Sequence, residues 1–457
     1  MKLLPQFLAL LAGWSRAFAQ SRTHQRALAH ALAALCSFGR RTLSRSIALL
    51  GRAQKDWSAD YRIFSRSRWQ PQDLFAPVLT HYLQRYPQGP LTVALDDTKL
   101  SKTGKKIPTA FWQRHPLSPP FRINLLYGLR FLQASLLFPH YQEGDFSARA
   151  LPVRFHEVPA VDKPGRRAPP QAQQEYRRLQ KLKNLSTQSL AVVRDLRAQC
   201  DALGAADRLL LLPLDGSFCN RTFFQASLER TALLARGRKD ARLCFPAPPG
   251  SRRRYAAATF TPEQVRQDEA CPWQRAKVHF GGQWREVRYK EVPGVRWRRG
   301  AGPRPLRLLV VAPLPYRVSP HARLQYRQPA YLLTTDLAAD AASLLQAYLD
   351  RWQIEVNHRD EKSLLGVGQA QVRSALSVPR QPALVVAAYS LLLLAALQVF
   401  GPGRTSDYLP LPKWRKPASR PSLLDILTLL RQQINETSGS DPGSEISAET
   451  LMHCAYT

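Results

Sequence analysis

The chain is short of acid. Its 457 residues hold 33 Asp and Glu against 66 Lys and Arg, a formal net charge of +33. Self-repulsion on that scale favours a polyanionic partner, and DNA or RNA fits best because each neutralised phosphate releases counterions. Cysteine is also sparse. The six thiols (Cys36, Cys200, Cys219, Cys244, Cys271 and Cys454) include no pair at C-x-x-C spacing, which excludes a zinc ribbon and a thioredoxin motif and suits a reducing cytosol. No apolar run reaches the ~20 residues of a membrane span; the best, 383–397, contains Tyr389 and Ser390. There is no glycine-rich phosphate loop, so no nucleotide cofactor is implied. His140, His156 and His358 show no metal-ligand spacing, and no internal repeat is visible. The first twenty residues mimic a secretory leader, with Lys2 and an Ala-x-Ala ending at Ala19. Pro5, Gln6 and Arg16 break that pattern, and an amphipathic helix is expected instead.

What is present is organised in blocks. At 44% hydrophobic content the chain can bury a large core, and its length suggests roughly two to four units. Residues 1–90 read as a basic helical region with 13 Lys or Arg against 3 Asp. A turn at Ser37-Phe38-Gly39 separates two helices, with Thr42 or Ser44 as a cap and Arg40, Arg41 and Arg45 near the second helix's start. That shape would suit a major groove, and equally an ordinary helix pair. Residues 91–219 carry two short apolar strands, each running into an acid. A pair of strands is expected around Gly128, and a charged helix over 174–200. Residues 220–330 alternate in short stretches and predict a β-rich insertion. Residues 331–400 hold a strand, a long helix over 340–365 and an apolar helix over 382–397. Residues 401–457 form a Pro-rich linker, a short helix and a disordered tail.

The chemistry lies in the acids. Leu91–Leu95 runs into Asp96-Asp97, and Arg208–Leu214 into Asp215. A carboxylate at a strand's end is held by rigid backbone yet projects into a cleft. Two such strands and one helical acid can converge on hard divalent cations, which prefer oxygen ligands and serve phosphodiester chemistry. At about 100° per residue, the helix from Asp340 places Leu345, Leu349, Trp352 and Val356 on a core stripe, and Tyr348, Arg351, Glu355 and Lys362 on a second. The second stripe could equally be a solvated salt-bridge face.

Tyr348, Arg351, Glu355 and Lys362 fit the Y-x2-R-x3-E-x6-K signature, and the chain here resembles DDE-type transposases of bacterial insertion sequences. Tyr331–Asp336 before the signature, and Leu365-Gly-Val-Gly-Gln369 with Arg373-Ser374 after it, resemble the same group. The resemblance covers roughly residues 90–400. It implies an α/β fold: an RNase H-like mixed sheet with flanking helices, interrupted by a β-rich insertion and preceded by the helical N-terminal region. It implies Asp96, Asp215 and Glu355 as catalytic residues holding Mg²⁺, for which Mn²⁺ can substitute. Tyr348, Arg351 and Lys362 would hold phosphates near the element's end, and Trp297 would receive a flipped base. The implied reaction is cleavage at transposon ends, with water and then a 3′ hydroxyl as nucleophiles and no covalent protein–DNA intermediate. The implied partners are double-stranded DNA (terminal repeats and target) and a second copy of the chain on that DNA, in the bacterial cytoplasm at the nucleoid.

Two departures bear on this. The spacing to Thr98 and Leu100 favours Asp96 over Asp97 only modestly, and Pro213 would make the second strand an edge or truncate it. Lys99, Lys102, Lys105 and Lys106 could meet flanking phosphates or form a solvated loop. Alternatives are an inactive DNA-binding derivative acting as repressor or scaffold, and a structure-specific nuclease of the same fold.

Overall fold

The computed structural model describes residues 2–119, 121–140, 145–319, 321–437 and 447–456. The strands are β1 (Leu91–Ser101), β2 (Phe111–Arg114), β3 (Leu125–His140), β4 (Phe146–Glu157), β5 (Leu210–Leu214) and β6 (Thr231–Arg236). They continue with β7 (Gln274–His279), β8 (Trp284–Arg296), β9 (Pro305–Val311), β10 (Pro315–Tyr316), β11 (Gln325–Tyr326) and β12 (Ala330–Thr334). Ten of them build one mixed sheet in the order β2-β3-β1-β5-β6-β12-β9-β8-β7, with β4 also paired to β3; β10 and β11 form a separate ribbon. β5 runs parallel to both β1 and β6, whereas β3 is antiparallel to β1 and β4 to β3.

Apolar runs explain the centre. Leu91, Val93, Ala94 and Leu95 of β1 and all five residues of β5 are buried, the mark of strands covered on both faces. Pro213 does not make β5 an edge, since β1 and β6 flank it; the strand stops at Leu214, one residue beyond the missing donor. The pair of strands expected around Gly128 is instead the single strand β3, crossed there by β1. A Cβ on Gly128 would lie 2.2 Å from the Leu100 carbonyl oxygen, so glycine permits the approach.

Residues 220–330, expected as an insertion, supply β6 to β11, and β7 to β9 extend the central sheet rather than forming a second one. The link is β12, antiparallel to both β6 and β9, which gives the otherwise open edge of β6 a partner.

Before the sheet come α1 (Leu3–Ala12), α2 (Ser21–Cys36), α3 (Leu43–Leu49), α4 (Ser58–Ser65) and α5 (Ala76–Arg85). The later helices are α6 (Pro170–Lys183), α7 (Leu185–Cys200), α8 (Arg221–Phe224), α9 (Pro262–Gln267), α10 (Ala341–Asp350) and α11 (Gln353–Ser363), followed by α12 (Ser377–Phe400), α13 (Leu423–Thr437) and α14 (Ala448–Tyr456). The N-terminal helices share one core with the C-terminal ones: α1 lies on α12 and α13, and α2 on α12 and α14. The tail is not disordered throughout. α13 runs to Thr437, and α14 buries Leu451, Cys454 and Ala455; residues 438–446 lie outside the described residues. By length and composition α12 could cross a membrane, but most of it is buried within the protein. There Ser390 Oγ donates to the Pro152 carbonyl, and Tyr389 Oη accepts from Asn357.

Candidate active site

Leu95 of β1 faces Leu214 of β5 in parallel register, which sets Asp96 and Asp215 at the same level. β5 ends before Asp215, but β1, expected to end at Leu95, runs on to Ser101 because β3 pairs with it that far, so Asp96 lies mid-strand. Strand alternation separates the two consecutive acids. Asp96 is buried, and its Oδ1 accepts the Asp97 N–H at 2.8 Å. Asp97 is neutralised by Arg130, whose Nε donates to Oδ2 at 2.8 Å. Asp215 is half-buried, and its Oδ1 accepts from Ser217 N at 2.9 Å and Ser217 Oγ at 2.7 Å.

The helix expected over 340–365 is two helices. Across the junction, Trp352 N bonds Leu349 O, Ile354 N bonds Arg351 O, and Glu355 N bonds Trp352 O, all i→i−3. These tighter turns rotate α11 relative to α10 and break the ideal stripe. Trp352 is consequently exposed, while Leu349 and Val356 are only half-buried. The buried residues are Ala341, Leu344, Leu345, Gln346, Ala347 and Asp350 of α10, and Ile354, Asn357, His358, Asp360 and Glu361 of α11. Ile354 packs with Ala94, Leu137 and Ala150. Ala94 and Asp96 share a face of β1, so seating Ile354 on Ala94 brings Glu355 to Asp96.

The charges register that convergence. Burial pushes the Asp96 pKa up to about 7; His358 opposes this, while the charges of Glu355 and Asp215 and a hydrogen bond with Glu355 reinforce it. Asp96 thus lies within the fields of both Glu355 and Asp215. Oxygen-only donors suit a hard divalent cation. The acids do not form a closed cage: among the described residues no group of three or more His, Cys, Asp and Glu has metal-ligand geometry.

The signature's other side chains flank the acids. Burial raises the Tyr348 pKa; Arg351 and Arg236 lower it, and Asp215 raises it. The Arg351 guanidinium lies 5.9 Å from the Tyr348 ring centre, and its Nε and Nη1 are buried without a hydrogen-bond partner. Such orphan donors are rare and ask for an acceptor. Lys362 is exposed as a residue, yet desolvation of its ammonium lowers its pKa, against Glu361, Asp96, Glu355 and Asp97. Tyr348 and Arg351 therefore stand on the Asp215 side, and Lys362 on the Asp96 side.

Sequence reasoning missed the groups behind Asp96. His358, expected to be an ordinary polar helix residue, is buried with Nε2 3.9 Å from Asp96 Oδ2 and Nδ1 3.4 Å from Glu361 Oε2. Asn357 donates to the Ala150 carbonyl and to Tyr389 Oη, each at 3.0 Å, and accepts from Ser135 Oγ at 3.1 Å. The i+3 spacing from Glu355 to His358 to Glu361 was the available signal.

The remaining expected contacts are scattered. Arg40 and Arg45 are exposed, with Arg45 N bonded to the Thr42 cap of α3; Arg41 is half-buried, its N–H donating to Gln369 Oε1 at 2.7 Å. This places the α2–α3 turn on the segment after α11. Trp297 is half-buried, packed edge-on to Phe224 and lying over Gly300, where a Cβ would collide with its ring. Its face there is occupied by protein, and it is not presented as a free stacking surface. Lys102 is also unavailable to phosphates. It is buried, and Nζ donates to the Gly368 and Ala370 carbonyls at 2.6 Å, close to Gly368 at φ 100°. No protein-family model matches this chain, and no curated protein matches it either.

Proposed function

We propose that the chain is a DDE-type transposase: a divalent-metal-dependent nuclease and strand-transferase acting on DNA. The observation that carries this reading is the meeting of Asp96, Asp215 and Glu355, with the Asp96 pKa pushed up to about 7 by burial and by its acidic neighbours. Carboxylates gathered without a compensating cation cost stability, and such strain concentrates at functional sites. The strand order β4-β3-β1-β5-β6, with β1, β5 and β6 parallel, is compatible with the RNase H-like half we propose, and supports the same reading.

The three acids would hold Mg²⁺ or Mn²⁺, which would supply charge stabilisation for the attacking and leaving oxygens. Arg351, whose Nε and Nη1 are buried without a hydrogen-bond partner, would supply a fixed positive charge to a phosphate on the Asp215 side, and Lys362 a point charge on the Asp96 side. Tyr348 Oη, beside Arg351, is a further phosphate partner. His358 sits behind Asp96 and favours its ionised form. Water and then a 3′ hydroxyl serve as nucleophiles, and a second copy of the chain binds the paired DNA ends.

The test is a nicking and strand-transfer assay on DNA carrying the inverted repeats that flank the coding region. Mg²⁺-dependent nicks and joined products are expected from the wild type, and neither from Glu355→Gln. Cleavage by Glu355→Gln at the wild-type rate would overturn the assignment. Nicks without joined products would favour a nuclease of the same fold; binding without nicks would favour an inactive repressor or scaffold.

A further inference from the structure

Strand β2 and the start of β3 form a hairpin, closed by His115 N donating to the Asn124 carbonyl at 2.8 Å. Cross-strand partners share a face, so Trp112 lies beside Tyr127 (ring centres 5.4 Å apart) and Arg114 beside Leu125. This hairpin exposes what a folded chain normally hides. Trp112 is 64% exposed, Leu117 84%, Phe121 90%, Ile123 66% and Leu125 60%. Grouped exposure of this kind marks an interaction surface.

Charge identifies the occupant. From Lys99 to Tyr127 the chain has six Lys or Arg and no Asp or Glu. Lys105, Lys106, Arg114 and Arg122 are exposed and form no ion pair among the described residues. The base of the arm adjoins the acids: Lys99 Nζ donates to the Arg114 carbonyl at 2.6 Å, and Lys99 lies in the fields of Asp97, Arg114 and Lys362. Leu117 follows Arg114 in the turn where Ser118 N bonds the His115 carbonyl, at the tip of the arm. An apolar tip on a purely cationic stem suits the phosphate backbone of DNA, with bases for the apolar side chains to contact.

We propose that the β2–β3 hairpin is a DNA-binding arm. Arg114 and Arg122 grip the backbone next to the cleaved phosphate, and Leu117, Phe121 and Ile123 wedge against bases unstacked there. The position relative to the cleaved phosphate rests on the catalytic reading above; the binding itself does not.

The test uses the full chain with Glu355→Gln throughout, so that nothing is cut. Binding to a labelled 30-base-pair duplex, intact or with two unpaired central bases, is followed by fluorescence anisotropy across a salt series. Arg114→Gln with Arg122→Gln is expected to reduce the slope of log affinity against log salt by about 2, near one per phosphate contact. Leu117→Ser with Phe121→Ser and Ile123→Ser is expected to keep the slope and lose about tenfold in affinity, more on the unpaired duplex, as for one lost stacking contact. Unchanged binding by both variants overturns the arm. A loss confined to the arginine variant overturns the wedge. Sedimentation in which the serine variant turns a dimer into a monomer at unchanged DNA affinity assigns the surface to a second copy and overturns the proposal. If the expected pattern appears while wild-type protein cuts nothing with Mg²⁺, the arm stands and the catalytic reading fails.

Discussion

Helix α11 and the β2–β3 hairpin depart from ordinary folding logic in opposite directions. The helix buries Asn357, His358, Asp360 and Glu361, whereas the hairpin holds Trp112, Leu117, Phe121 and Ile123 out to solvent. Both choices cost stability. In the helix the cost is partly offset by fixed partners such as the Ala150 carbonyl, Tyr389 Oη and Ser135 Oγ. The hairpin has no comparable compensation among the described residues. A buried polar network fixes geometry to a fraction of an ångström, which chemistry requires. An exposed apolar arm fixes nothing until a partner covers it. On the proposed reading, the difference separates a region that would hold reacting groups from one that would hold a substrate.

That contrast can be broken most decisively at the acids. Asp96→Asn and Glu355→Gln are expected to lower Mg²⁺-dependent nicking by about a thousandfold or more, with DNA affinity changed by less than about threefold. A variant that still cuts would place the chemistry elsewhere. Next in size is Asn357→Ala, which strips partners from Tyr389 Oη and the Ala150 carbonyl. Leaving buried polar groups unpaired should cost about 2–4 kcal/mol in urea unfolding. A loss below about 0.5 kcal/mol would show that the network does not hold α11 in place.

A smaller effect of opposite sign is expected from Asp96→Asn on stability. The Asp96 pKa is raised from 3.8 to about 7 in the fold, chiefly by burial. Between those values the unfolded chain ionises first, so the group's contribution is fully present below about pH 4 and lost as pH rises toward about 7. Without divalent cation, Asp96→Asn should therefore raise stability at pH 7.5 by on the order of 2 kcal/mol and make no such difference at pH 4. Melting at the two pH values checks this; equal shifts would mean the acid is not strained. Smallest is the serine variant of the hairpin tip, whose melting should match wild type within about 0.5 kcal/mol because those side chains are mostly exposed.

The legible part of the site was local. Acids directly after apolar runs and the spacing of Tyr348, Arg351, Glu355 and Lys362 lie within short windows of sequence. The illegible part arose from long-range contact. The i→i−3 bonds at Arg351–Trp352 are compatible with ordinary helix-forming residues, so the stripe through Leu349, Trp352 and Val356 was placed on the core. His358 reads as a polar helix residue until β1 arrives beside it. Trp297 could be read either as a base-receiving aromatic or as core, and its packing against Phe224 and over Gly300 decides for the core. The tail after Asn435 looks too polar to fold alone, yet α14 finds a surface on α2.

By itself the sequence determined which segments are apolar enough to be strands, that an acid follows each apolar run, and that the chain carries a large positive charge. Those properties follow from side-chain chemistry and the two backbone periods. Only the tertiary structure decided that Asp96 rather than Asp97 faces Glu355, that β12 joins the late strands to the early ones, and that the hairpin's apolar side chains remain uncovered. Each of these depends on which surfaces meet across hundreds of residues, and burial and electrostatic fields exist only once they have met.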